Sequence, residues 1–95
     1  MPAPSAKPAA VMPEPNAVAL RKYVDRDKSR ADIFSSPDKL KAAFAAAVAK
    51  ANNRAPGADY DANGGMEAKL YHGALANIYN ISDYSPPGWR DASKD

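Results

Sequence analysis

The sequence predicts a small all-α protein: a two- or three-helix unit with a disordered or extended N-terminal arm and an extended C-terminal segment. Apolar residues recur at spacings of three and four between residues 16 and 82, which is typical of helices. No segment alternates apolar and polar residues as a half-buried strand does. Five of the first fifteen residues are proline, which fixes φ and removes a backbone donor, so regular structure cannot propagate there. The chain therefore divides into an arm (1–15), a helical unit (16–82) and a C-terminal segment (83–95).

The first predicted helix begins after Asn16, whose side chain is a good N-cap. Leu20 and Val24 lie four residues apart and provide one apolar stripe, while the opposite face is charged. The pattern weakens after Ser29. We expect Ile33 and the phenylalanine that follows it to form an apolar plug before the next helix.

The second helix has the clearest boundaries. Ser36 is a predicted N-cap, and Pro37 suits the first helical position because its missing N–H has no helical partner there. We expect the helix to reach at least Ala49, since alanine has the highest helix propensity. Its predicted buried face consists of Leu40, Phe44, Ala47, Val48 and Ala51.

The third helix is predicted to begin near Met66 and to be broadly apolar. Its main stripe comprises Met66, Leu70, Ala74, Ile78 and Ile81, and Tyr71, Leu75 and Tyr79 widen it. Two short, alanine-rich helices offer little surface to cover such a face. We therefore expect part of it to stay exposed in the lone chain and to be buried by another subunit, which is either identical or different.

The C-terminal segment contains Ser85-Pro-Pro-Gly-Trp89. Two prolines pre-order an extended backbone, and tryptophan is enriched at binding hot spots. Trp89 either contacts a partner or folds back on the helices as a clasp. The complete predicted partner-binding set is Tyr71, Leu75, Ile78, Tyr79, Tyr84, Pro86, Pro87 and Trp89.

The amount of apolar material also indicates a partner. Of the 95 residues 21 are alanine, and only 19 bulky apolar or aromatic side chains follow the arm. Small domains with such thin cores commonly depend on a disulfide, a metal or a partner. The chain contains no cysteine, which excludes a disulfide. Residues 21–54 hold nine Lys and Arg against four Asp, whereas 55–95 hold three against six acidic residues. Such a chain could stack head to tail with itself or present opposite faces to two partners.

Two other functional interpretations remain open. The segment Asp59-Tyr-Asp61-Ala-Asn63-Gly matches the opening of a calcium loop, with Glu67 at its ninth position, but Leu70 occupies the twelfth, where a carboxylate is needed. A plain turn uses the same residue types. Residues 21–30 could contact nucleic-acid phosphates, although three aspartates lie within or just after them. The candidate phosphate-binding residues are Arg21, Lys22, Arg26, Lys28 and Arg30.

No catalytic motif accompanies the single histidine, His72, so we expect a packed or surface ring and predict no enzyme activity and no cofactor. Neither a signal peptide nor a membrane span is predicted. The sequence therefore favours a structural or accessory subunit of a larger assembly, such as a minor capsid, decoration or connector protein of a virus particle. Its predicted location is the cytoplasm, or a particle assembled there.

Overall fold

The computed structural model describes residues 13–94, and the described chain contains five α-helices and no strand. The helices are α1 (Ala17–Arg26), α2 (Ala31–Phe34), α3 (Pro37–Asn52), α4 (Gly65–Tyr79) and α5 (Trp89–Ala92), with a 3-10 turn at Lys28–Arg30 between α1 and α2. The predicted all-α class is confirmed. The prediction for the arm concerns mainly residues 1–12, which lie outside the described residues; residues 13–16 form no regular element.

Helix α3 has the predicted cap and the predicted buried face. The Ser36 hydroxyl accepts a hydrogen bond from the Lys39 backbone N–H, with 3.5 Å between the atoms, and Pro37 occupies the first turn. Leu40, Phe44 and Val48 are at most 1% exposed. Because the apolar positions recur every four residues, they form a single ridge along the helix.

Helix α4 packs antiparallel to α3, and the two helices form the body of the fold. Gly64, with φ +93°, makes the turn into α4 directly against α3. A Cβ at this glycine would lie 2.7 Å from the Ala47 carbonyl oxygen, so the close approach requires glycine. At the other end, Asn80 adopts the left-handed conformation with φ 57° and ends the helix. Ile81, which was assigned to the apolar stripe, therefore follows the helix.

The buried face of α4 is rotated from the predicted stripe. Met66 begins that stripe but is 52% exposed. The fully covered residues are Ala68, Tyr71, Ala74, Leu75, Ile78 and Tyr79. Tyr71, Leu75 and Tyr79, which the sequence predicts at the edge of the stripe, thus lie at the centre of the core. The reason is that α2 and α3 pack against this side of the helix.

Phe34 at the end of α2 is the predicted apolar plug, and it is fully buried. Its ring lies between Tyr23 of α1 and Tyr71 of α4, with centroid distances of 5.5 and 6.1 Å. Its carbonyl oxygen accepts a hydrogen bond of 2.9 Å from the Tyr79 hydroxyl. Phe34 therefore joins the first two helices to the α3–α4 pair.

Helix α1 lies antiparallel along α4 but contains no buried residue. The Asn16 side chain caps it by accepting from the Ala19 N–H at 3.2 Å, as predicted. The Asn16 N–H donates to the Ile78 carbonyl at 2.6 Å, and the Asn77 side-chain amide donates to the Tyr23 hydroxyl at 3.0 Å. Helix α1 is thus attached by hydrogen bonds and half-buried side chains.

The C-terminal segment leaves α4 and returns along α3. Residues 80–88 contain no helix, and α5 follows as a single turn, so the extended part is shorter than predicted. The Asn52 side chain donates a hydrogen bond of 3.0 Å to the Gly88 carbonyl. Trp89 meets Phe44 edge-on with ring centroids 4.9 Å apart. The structure therefore has the fold-back arrangement, and we call residues 84–92 the clasp.

Candidate partner-binding surfaces

The structure divides the predicted partner-binding set in two. Tyr71, Leu75, Ile78 and Tyr79 are at most 3% exposed. Because α1, α2 and α3 of the same chain already cover these four side chains, the part of the predicted set that can stay exposed for a partner lies among the other members. The two helices that the sequence predicts as neighbours of this face are α1 and α3, and Phe34 of α2 adds further cover by contacting Tyr71 and Tyr79.

The remaining members belong to the clasp. Pro86 is buried, Tyr84 and Trp89 are half-buried, and Pro87 is exposed. The Lys41 ammonium group lies 5.3 Å from the centroid of the Tyr84 ring. A partner can reach only the outer edges of these side chains while the clasp stays in place.

The two buried tyrosines of α4 are structural. Tyr79 donates its hydroxyl hydrogen to the Phe34 carbonyl, and Tyr71 donates to a Glu67 carboxylate oxygen at 3.4 Å. Burial raises the pKa of both phenols, because ionisation would place a charge away from water. Both side chains therefore remain neutral donors.

His72 is a packing residue between α4 and the clasp. Its ring centroid lies 5.7 Å from that of Phe44 and 5.1 Å from that of Trp89. The 31° angle between the imidazole and indole planes corresponds to a tilted stack. This position agrees with the packed ring expected from the sequence.

The segment resembling a calcium loop forms a turn closed by its own hydrogen bonds. The Asp61 N–H donates to the Asp59 carboxylate at 3.0 Å, and the Asn63 side chain donates to the Asp59 carbonyl at 2.7 Å. Glu67 forms ion pairs with Arg30 at 3.1 Å and Lys50 at 3.6 Å. Within residues 13–94, no three His, Asp or Glu side chains converge as metal ligands would. The geometry supports the turn interpretation.

The basic stretch is partly neutralised within the chain. Arg21 pairs with Asp25 at 3.5 Å, and Arg30 pairs with Asp27 at 2.8 Å. A hydrogen bond from the Ser29 hydroxyl, supported by the nearby Arg30 charge, lowers the pKa of Asp27 and keeps this carboxylate ionised. Lys22, Arg26 and Lys28 are the three exposed cations that remain.

The first surface that the sequence did not reveal is on α1. Val18 is 82% exposed, the highest value among the large hydrophobic residues of the described chain. The same helix also has a shallow groove lined by Ala17, Leu20, Arg21 and Val24. We call these five residues the α1 surface. The predicted stripe of Leu20 and Val24 is real, but it is only partly covered by α4.

The second surface is a groove between α1, α4 and the loop before α4. It has a volume of about 360 Å³ and is lined by Arg26, Arg30, Asp61, Met66, Glu67 and Leu70. We call it the Met66 groove. The exposure of Met66 could not be deduced from periodicity, which placed this residue in the core.

No family model matches the chain, and searches among the curated proteins and the solved structures also found no match. In the described part of the chain, no helix combines the length and the apolar character that crossing a membrane requires. The surfaces of this fold are therefore the basis for assigning a function.

Proposed function

We propose that the protein is a small, non-enzymatic structural or accessory subunit of a larger assembly and that it binds a protein partner through the α1 surface. The exposure of Val18 on a helix without buried residues is the observation that carries this proposal. A ten-residue helix is marginal in isolation, so α1 depends on its contacts with α4. A partner covering its outer edge would bury more apolar area and stabilise it further.

The proposed contact is apolar with a charged border. Ala17, Leu20 and Val24 provide the apolar part of the groove, while Arg21 and Asp25 pair with each other at the rim. Charged groups at a rim direct orientation more than they add affinity. Residues 13–16 lead directly into α1, so a partner bound there would also lie next to these residues.

A minor capsid, decoration or connector protein of a virus particle is the form of assembly we propose, because a small helical unit with a proline-rich arm suits such a role. In keeping with the sequence, we propose the cytoplasm, or a particle assembled there, as its location. Nucleic-acid binding is the less favoured function, because Arg21 and Arg30 already form ion pairs with acidic side chains of the same chain.

Photo-crosslinking tests this function. A photoreactive phenylalanine derivative placed at Val18 is expected to give one dominant protein adduct in cells that produce the assembly. The same group at Asn53, which is exposed at the far end of α3, serves as the control and is expected to give none.

A matched pair of charge variants completes the test. Val18→Glu should reduce incorporation into the assembly at least about tenfold, because it places a carboxylate in an apolar contact. Ala49→Glu adds the same charge to an exposed position of α3 and should have no effect. Equal incorporation of the two variants, with both folded by circular dichroism, would show that the α1 surface is not the contact.

A further inference from the structure

The Met66 groove exists because α1 covers only one half of an α4 face. Met66, Leu70, Gly73 and Asn77 share that face, at spacings of three and four. Tyr23 of α1 covers the second half: its hydroxyl accepts from Asn77 and would lie 3.4 Å from a Cβ at Gly73. Helix α1 ends at Arg26, so Met66 and Leu70 continue the face without a covering helix.

The charges around the groove are of two kinds. Arg30 is compensated, because it lies 2.8 Å from Asp27 and 3.1 Å from Glu67. Within residues 13–94, neither Arg26 nor Asp61 has an opposite charge within 4.0 Å. Arg26 belongs to the α1 wall and Asp61 to the loop wall. The groove thus has an apolar floor, one uncompensated cation on one side and one uncompensated carboxylate on the other.

We propose that the Met66 groove binds the same groove of a second copy of this chain, related by a two-fold axis. In such an interface residue i of one copy meets residue j of the other, and j meets i. Arg26 of each copy then pairs with Asp61 of the other, while the two Met66 side chains pack together at the axis. The opposite charges on the two walls make the groove self-complementary, and this favours a second copy over an unrelated partner. None of the five residues of the α1 surface lines the Met66 groove, so the two proposed contacts are independent of each other.

The floor offers only Met66 and the half-buried Leu70 to the contact. Interfaces of this limited size belong to the weak, transient class. We therefore expect a Kd for self-association in the micromolar range, roughly 10 to 500 μM. Sedimentation equilibrium of the full chain at concentrations up to about 1 mM should show a monomer–dimer equilibrium.

Two charge reversals test the pairing itself. Arg26→Asp and Asp61→Arg should each weaken self-association at least about tenfold, because each brings like charges together at both ends of the dimer. An equimolar mixture of the two variants should regain association close to that of the wild type. In the mixed dimer the substituted position 26 of one copy meets the substituted position 61 of the other, and the two unsubstituted residues also meet. Both contacts then join opposite charges.

Three further variants control for folding and location. Carrying both reversals in one chain should restore self-association, whereas Met66→Glu should remove it, and Val18→Glu should leave it unchanged. Circular dichroism shows whether each variant keeps the wild-type helix content. A wild-type chain that stays monomeric at all of these protein concentrations would refute the proposal. Self-association that neither charge reversal weakens would also refute it. A mixture that associates no better than its components would refute the two-fold pairing.

Discussion

Tyr79 shows how one side chain can hold distant parts of a small fold together. Its ring is buried in the core, and its hydroxyl donates a 2.9 Å hydrogen bond to the carbonyl of Phe34, 45 residues earlier. An unsatisfied buried carbonyl costs about 1–3 kcal/mol, so this bond protects the end of α2 as well as the tyrosine. The phenol must stay protonated to donate.

We predict that stability falls at alkaline pH. Burial raises the pKa of Tyr79 above its ordinary value of 10.0, so the folded chain keeps a proton that the unfolded chain releases near pH 10. The contribution of Tyr79 to the free energy of unfolding should therefore be constant below about pH 10 and should decrease above it. Urea denaturation between about pH 8 and pH 11.5 measures this dependence.

Tyr79→Phe provides the control. It should lose about 1–3 kcal/mol at pH 8, because the Phe34 carbonyl loses its donor, and its alkaline slope should be shallower than that of the wild type. Some slope should remain, since burial raises the pKa of Tyr71 in the same direction. Identical alkaline slopes for variant and wild type would show that Tyr79 does not contribute.

At the level of single residues, the sequence placed some side chains correctly and others not. Asn16 and Ser36 were identified as caps because the cap and its N–H partner lie three residues apart. The sequence offers Glu67 as a possible calcium ligand, but Glu67 pairs with Arg30 and Lys50, which are 37 and 17 residues away in the chain. The role of Glu67 depends on how α3, α4 and the 3-10 turn pack together. The spacing of residues within one segment carries no information about this packing.

At the level of elements, the clasp is the part whose role the sequence left undecided. Trp89 packs against Phe44 and His72, and Ala92 of α5 is 3% exposed. Gly88, with φ +86°, brings the backbone close to Asn52, and a Cβ there would overlap the Asn52 amide nitrogen. Both side-chain and backbone contacts therefore hold the clasp against the helices.

We predict that Trp89→Ala destabilises the fold by about 2–3 kcal/mol. Removing a fully buried aromatic ring costs about 3–5 kcal/mol, and the half-buried position of Trp89 reduces the loss. Urea denaturation followed by circular dichroism measures the change, and helix α3 should remain in the folded variant. Arg90→Ala, at the exposed neighbouring position, should change stability by less than about 0.5 kcal/mol. Equal values for the two variants would mean that the clasp contributes nothing.

For the whole molecule, the sequence predicted the helices better than their arrangement. Helix α3 follows from local caps and a strict spacing, so its bounds and buried face were found in advance. The rotation of α4 and the exposure of Met66 follow from α1 and Phe34, which pack from distant positions. Both candidate surfaces lie where the packed helices leave apolar side chains uncovered. Because this depends on tertiary packing, the sequence alone does not identify either surface.

The absence of any buried residue in α1 has a consequence for local unfolding. Proteins open in cooperative units whose free energies depend on buried contacts and protected hydrogen bonds. Helix α1 contributes only half-buried side chains, whereas α3 and α4 hold most of the core. We predict that α1 opens while the α3–α4 pair stays folded, at a free energy at least about 1 kcal/mol below that of global unfolding.

Native-state hydrogen exchange measures this difference directly. Amide protons of Leu20 to Val24 should exchange faster than those of Phe44 to Val48 at every denaturant concentration below the unfolding transition. Equal protection of the two segments would mean that the protein unfolds as one unit. A partner that covers Val18 should slow exchange in α1 first and leave the α3 amides unchanged, since only the opening of α1 is linked to that binding.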